Sequence, residues 1–123
     1  MKYFLITIFS LLLSVAVNMN QSVFAQEKKA DKTSTTFKVW GNCEMCKATI
    51  QDAARIKGVQ KAIWDQKTKM LTITYKPDKV KLEEIHKAIA ESGYDTELAT
   101  APDDVYADLP DCCHYERPAR KKE

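Results

Sequence analysis

The chain has 123 residues, 45% of them hydrophobic and 29% charged, with only three Gly and four Pro, which excludes a collagen-like, low-complexity or wholly disordered polymer. That length allows one small domain. Nineteen Lys+Arg against seventeen Asp+Glu leave a formal charge of +2, no electrostatic footprint for nucleic acid, and the cluster of Arg120, Lys121 and Lys122 reads as a solvated terminus.

Residues 1–25 have the order of a secretory signal peptide. Met1-Lys2 gives a positive start, and Tyr3 to Val17 is apolar except for Thr7, Ser10 and Ser14. Val23-Phe24-Ala25 then offers a small-residue cleavage site. The apolar run is shorter than the about 20 residues of a spanning helix, so the expectation is export to the periplasm with no stable membrane insertion after cleavage. The cleaved chain, 98 residues from Gln26, carries a charge of +1 because the leader holds one Lys and no acid. Residues 26–34, QEKKADKTS, are polar and aperiodic and read as a flexible leader.

The apolar pattern then defines six elements. Thr35 to Trp40 alternates through Phe37 and Val39, a half-buried strand. Gly41-Asn42 breaks it, with Asn42 as candidate N-cap. From Cys43 to about Lys57, Cys46, Ile50, Ala53 and Lys57 recur at helical spacing, and Gly58 is a suitable stop. Val59 to Asp65 reads as a second strand and Lys69 to Tyr75 as a third, joined by a turn at Gln66-Lys67-Thr68. Leu82, Ile85 and Ile89 stripe a second helix that stops near Gly93, and Tyr94 to Leu98 reads as a short fourth strand. The order β-α-β-β-α-β predicts an α+β, ferredoxin-like sandwich over residues 35–99 with one sheet face uncovered. Its core is expected to run through Phe37, Val39, Ile50, Ala62, Trp64, Leu71, Ile73, Leu82, Ile85 and Ile89, and His86 falls on the solvated side of the second helix.

The four cysteines come as two tight pairs, Cys43/Cys46 and Cys112/Cys113. A disulfide scaffold would spread them through the chain, so the pairs read as sites. Cys43 and Cys46, at i and i+3 where strand gives way to helix, can converge on one ion. A helix N-terminus lowers a thiol from about 8.5 towards roughly 3.5–7.5. A two-thiolate site is soft and favours Cu(I), or Hg(II), over Mg or Ca. An oxidised Cys43–Cys46 pair without metal is the plain alternative. Met45 reads as a packing or exposed side chain.

The β-α-β-β-α-β order, the C-x-x-C at the strand-to-helix junction, Gly58-Val59 opening strand two and Ser92-Gly93-Tyr94-Asp95 before strand four together resemble the heavy-metal-associated domain. That family includes copper chaperones, the N-terminal modules of copper-pumping ATPases and periplasmic mercury-binding proteins. The resemblance implies that Cys43 and Cys46 are the metal ligands and that Tyr94 sits beside the metal loop. It further implies a partner that is a metal-transporting membrane protein or another metal-binding domain. One departure stands out: the family reads Gly-Met-x-Cys before its first ligand, whereas Gly41-Asn42-Cys43 is one residue shorter and lacks the Met, leaving Trp40 or Met45 to fill the space beneath the loop.

Residues 100–123 form a C-terminal extension. Asp103 to Leu109 reads as a short helix, followed by Asp111-Cys112-Cys113-His114-Tyr115. Three consecutive ligand-type side chains suggest a metal role for Cys112, Cys113 or His114, the alternative being a disulfide to another cysteine or chain. Counting chain length, the extension can travel back to the Cys43/Cys46 metal. The uncovered sheet face offers a route, Ile63 and Met70 meeting Val105, Tyr106 and Leu109. The functional expectation is a Cu(I) chaperone or scavenger, not an enzyme, that passes its ion on by thiolate exchange. Two alternatives use the same cysteines: a thiol–disulfide oxidoreductase acting through the C-x-x-C, and a four-cysteine Zn(II) site.

Overall fold

The computed structural model describes residues 31–119; the expected signal peptide, most of the polar leader and the Arg120–Lys122 cluster lie outside the described residues. The elements are β1 (Thr33–Lys38), α1 (Glu44–Ala54), β2 (Val59–Trp64), β3 (Met70–Tyr75), α2 (Leu82–Glu91), α3 (Asp103–Ala107) and a 3-10 turn at Asp111–Cys113. β3 lies between β1 and β2 and pairs antiparallel with both, so that Leu71 stands opposite Phe37 on one side and Trp64 on the other. Period-two alternation does the rest. Phe37 with Val39, Ala62 with Trp64, and Leu71 with Ile73 turn to one face and are almost wholly buried. α1 contributes Cys46, Ile50 and Ala54 to that core, and α2 contributes Ile85 and Ile89. Leu82 is only partly buried and packs at its edge. This is the expected ferredoxin-like sandwich. Among the described residues no helix is long and apolar enough to cross a membrane.

The expected fourth strand at Tyr94–Leu98 shrinks to one antiparallel bridge, between Thr96 and Val39. The cause is local hydrogen bonding. Thr96 N–H donates to Ala99 O (2.8 Å), while Thr96 Oγ1 accepts from the N–H groups of Ala99 (3.0 Å) and Leu98 (3.3 Å). Asp95 Oδ1 accepts from Ala101 N–H at 2.7 Å. The chain therefore reverses at once and does not run down the edge of β1.

That reversal also corrects the expectation for His86. The residue is 1% exposed, its ring centroid 3.9 Å from that of Phe37 with the planes tilted by 31°, and its Nδ1 2.6 Å from Thr96 Oγ1. Burial pushes its pKa below the ordinary value. The first helix ends at Ala54, short of the expected Lys57, and Cys43, not Asn42, occupies its N-cap position with extended backbone and no side-chain cap. Trp64 is core as expected, its Nε1–H donating to Val39 O at 3.1 Å.

The extension returns by a different route from the one expected. Among the described residues the sheet's outer face is uncovered: Thr36 pairs with Thr72 across it, and Ile63 is 47% exposed. α3 lies instead at the turn after α2, where Leu109 packs on Gly93. Gly93 has φ +107, and a Cβ there would stand 2.9 Å from Leu109 Cδ2, so only glycine accommodates both the turn and the contact. The tail is then pinned to Asp95. Arg117 donates through Nε to Asp95 Oδ2 (2.8 Å) and through Nη2 to Asp95 Oδ1 (2.9 Å), while Nη1 reaches Asp103 Oδ1 at 2.7 Å. The Tyr115 hydroxyl accepts from Asp95 N–H (2.8 Å) and donates to Gly93 O (2.9 Å).

Burial alone would push the Asp95 carboxyl up, but Arg117 and the Ala101 N–H outweigh it and hold the carboxyl below its ordinary value of 3.8. A depressed carboxylate contributes stability above its unfolded value and loses it as pH falls through the lower folded one. The anchor is therefore fully present at neutral pH and released only in strong acid. The Asp95 side chain is 3% exposed, and removing one partner of such a buried pair costs about 3 kcal/mol or more. Arg117→Ala should lower unfolding free energy by that amount in denaturant titration. The exposed Arg55–Asp52 pair, at 3.6 Å, sets the contrast: Arg55→Ala should change it by less than about 0.5 kcal/mol. Equal effects would contradict the anchor.

Candidate metal centre

The β1-to-α1 turn brings Cys43 and Cys46 together with Sγ atoms 3.5 Å apart. Cys46 belongs to the first turn of α1 and is 0% exposed; Cys43 stands half-buried at the N-cap. Beneath them Gly41 packs directly on the core: a Cβ there would meet Ile50 Cδ1 at 3.0 Å and Trp64 Cζ2 at 3.1 Å. Gly41 is thus seated closely on Ile50 and Trp64, and Trp40, one of the two residues expected to fill the space of the missing Met, packs partly buried against the core. Met45, one of the residues expected to fill it, is 55% exposed.

The pinned tail lays its 3-10 turn across this site. Cys112 Sγ is 3.6 Å and Cys113 Sγ 3.7 Å from Cys43 Sγ, and the two tail sulfurs are 3.8 Å apart. Cys113 is buried and Cys112 exposed, with its sulfur 3.6 Å from Met45 Sδ. Asn42, freed from capping, donates through Nδ2 to His114 O at 3.0 Å, and its own carbonyl accepts from Gln66 Nε2 at 2.9 Å. Cys43, Cys112 and Cys113 form the one potential metal-binding group of three among the described residues. His114 is not brought in. Its ring points away, with Nε2 3.3 Å from Ala107 O and the ring 5.3 Å from that of Tyr106. All four cysteines are free thiols, their sulfurs well beyond the about 2.05 Å of a disulfide.

The electrostatics single out Cys43. The backbone N–H of Cys46 points at its sulfur and, with the thiols of Cys46, Cys112 and Cys113, lowers its pKa to about 7. Cys113 is pushed up, first by burial and then by its neighbours; Cys112 is raised chiefly by the Cys43 anion beside it. The Tyr94 hydroxyl is buried and its pKa is pushed up, first by desolvation and then by the neighbouring Cys113 and Cys46 thiols. Tyr94 therefore sits where the resemblance placed it, under the sulfurs. Sequence reasoning missed Arg117, Asp95, Asn42 and Tyr115 as the groups that hold the tail; only the adjacent Cys112-Cys113 signalled that the tail had a destination.

Residues 36–95 match the family model for the heavy-metal-associated domain, and the chain carries that domain, followed by the pinned extension. Among solved structures, a CopZ metallochaperone is 27% identical with a TM-score of 0.50, the match covering 52% of this chain and 98% of that one. Oxidised MerP from Ralstonia metallidurans CH34 is 26% identical at a TM-score of 0.52, covering 55% and 96%. A copper-binding domain from HMA7, a P-type ATPase, is 26% identical at 0.50, covering 52% and 89%. A search of curated proteins returned no match. The coverage falls on the sandwich, so the second cysteine pair lies in a part of the chain outside the family match.

A thiol with a pKa of about 7 is half thiolate at neutral pH, whereas an ordinary one near 8.5 is only a few per cent so. The pH profile of iodoacetamide alkylation, followed by peptide mass mapping on reduced metal-free protein, should give Cys43 a midpoint near 7 and leave Cys113 the slowest to react. A Cys43 midpoint at the ordinary thiol value would contradict the arrangement.

Proposed function

We propose that the protein is an exported carrier or scavenger of a soft metal ion, Cu(I) foremost, and that it is not an enzyme. The observation that carries this reading is the gathering of four thiols and one thioether at a single turn, with one thiol already disposed to ionise. Thiolate and thioether donors select Cu(I) or Hg(II) over hard cations. The family of residues 36–95 and the copper and mercury proteins it resembles support the same assignment. Export, with the periplasm as destination, rests on the charge, apolar run and Val23-Phe24-Ala25 of the first 25 residues.

Hand-over requires no acid or base. A partner's thiolate enters the coordination shell, a three-coordinate ion forms, and one of the carrier's thiolates leaves. The exposed Cys112 and half-buried Cys43 are the sulfurs an incoming ligand can reach. The partner is a metal-transporting membrane protein or another metal-binding domain presenting its own thiols. Zn(II) is the second reading, favoured by the thiol count: a tetrahedron of metal–sulfur bonds of about 2.3 Å separates sulfurs by about 3.8 Å, close to the contacts of 3.5 to 3.8 Å seen here. The oxidoreductase alternative finds support in the Cys43 anion but lacks it in the fold, which is that of the heavy-metal-associated domain.

Reduced protein, handled anaerobically, should bind Cu(I) in competition with a chromophoric chelator, and Cys43→Ser with Cys46→Ser should remove the tight site. The doubly substituted, metal-free chain should still unfold cooperatively, because the buried set from Phe37 to Ile89 contributes about 1.5–3 kcal/mol per large apolar side chain without the thiols. Undiminished tight binding in the double variant would overturn the assignment.

A further inference from the structure

Cys43, Cys112 and Cys113 stand at the corners of a nearly equilateral triangle with sides of 3.6, 3.7 and 3.8 Å. The point equidistant from the three sulfurs lies about 2.1 Å from each, close to the about 2.3 Å of a metal–thiolate bond. The Cys43–Cys46 separation of 3.5 Å is, by contrast, short for a linear two-thiolate site, whose sulfurs would stand about 4.6 Å apart on the same bond length. We propose that the tail completes a three-sulfur site for Cu(I) on Cys43, Cys112 and Cys113, which shares Cys43 with the C-x-x-C pair and makes the tail an internal competitor for the ion.

This rests on the soft-metal reading above and adds to it a ligand set and a consequence for transfer. The tail need not wait for metal to arrive. Asp95–Arg117, the Tyr115 hydroxyl between Asp95 N–H and Gly93 O, and Asn42 to His114 O fix the backbone just after the thiols, and Leu109 packed on Gly93 with Asp103 held by Arg117 fixes it before them, all through groups that are not ligands. A ligand tethered in place acts at high effective concentration. A partner's thiolate, which would form the three-coordinate intermediate with an open two-thiol carrier, here finds the third position taken and must displace Cys112, the exposed corner. The design slows release and favours holding the ion over rapid delivery.

Sharing of Cys43 leaves a signature that a plain C-x-x-C site does not. In a plain site Cys43→Ser and Cys46→Ser are equivalent and the tail is neutral. Here Cys43→Ser breaks both sets, whereas Cys46→Ser leaves the triangle whole. Cu(I) affinity and release can be read by anaerobic competition with bicinchoninate for wild type, Cys43→Ser, Cys46→Ser, Cys112→Ser/Cys113→Ser and, because Cys113 is buried, the exposed Cys112→Ser alone. The expected pattern is a loss of about 100-fold or more for Cys43→Ser and a clearly smaller loss for Cys46→Ser. The double tail variant should bind about 100-fold more weakly, and both tail variants should release Cu(I) at least about tenfold faster. Equal losses for Cys43→Ser and Cys46→Ser, with both tail variants indistinguishable from wild type, would overturn the proposal while leaving the C-x-x-C carrier intact. Failure of wild type itself to bind Cu(I) would overturn both.

Discussion

A buried carboxylate organises the C-terminal third of this molecule. Asp95 is nearly inaccessible, and every polar group it carries is used: its carbonyl accepts from Trp40 N–H, its N–H donates to Tyr115, one oxygen takes Ala101 N–H and both take Arg117. An ionised carboxylate can stay in such a place only if its lone pairs are satisfied and its charge is matched. Meeting that condition bends residues 96–101 back on themselves, cuts the fourth strand to one bridge, and recruits a cation from the end of the chain. The tail that brings Arg117 to Asp95 must pass the β1–α1 turn, and there Cys112 and Cys113 come to rest on Cys43.

The chemistry follows from this placement. Of the thiol pair at the start of α1, Cys46 is fully buried and the half-buried Cys43 is the sulfur that meets solvent and an incoming partner. Adding two more sulfurs, one buried and one at the surface, changes an open site into a nearly closed one. The negative charge is favoured on Cys43, where the Cys46 N–H and three neighbouring thiols receive it, and the buried Tyr94 neighbours the inner sulfurs of Cys46 and Cys113. In the proposed three-sulfur site, the residues that follow the family match at Asp95 are what would bias this fold towards retention.

What the sequence disclosed was local. Phe37 and Val39, Leu71 and Ile73, and Ile85 with Ile89 announce their elements because burial on one face imposes a period of two or of 3.6. The C-x-x-C announces its position because the strand ends and the helix starts around it. What stayed hidden was long-range. Nothing near His86 says that a turn ten residues later will cover it, and Thr96 looks like any strand threonine until its hydroxyl is seen to end the strand. Arg117 carries no local signal at all, yet it neutralises a carboxylate 22 positions earlier. The tail's destination was readable from Cys112-Cys113, but its path was not, because the path depends on Gly93 accepting Leu109 and not on any apolar match to the open sheet face. His114 shows the limit from the other side: a ligand-type residue beside two cysteines still turns away when its backbone carbonyl is the group the fold uses.

The central claim is that turn and tail present their sulfurs to one ion. X-ray absorption on the wild-type chain loaded anaerobically with one equivalent of Cu(I) counts those sulfurs directly, since the edge of two-coordinate copper differs from that of three-coordinate copper and the fitted shell gives ligand number and distance. The account predicts a three-sulfur shell. A two-sulfur shell with the edge of linear copper would contradict it.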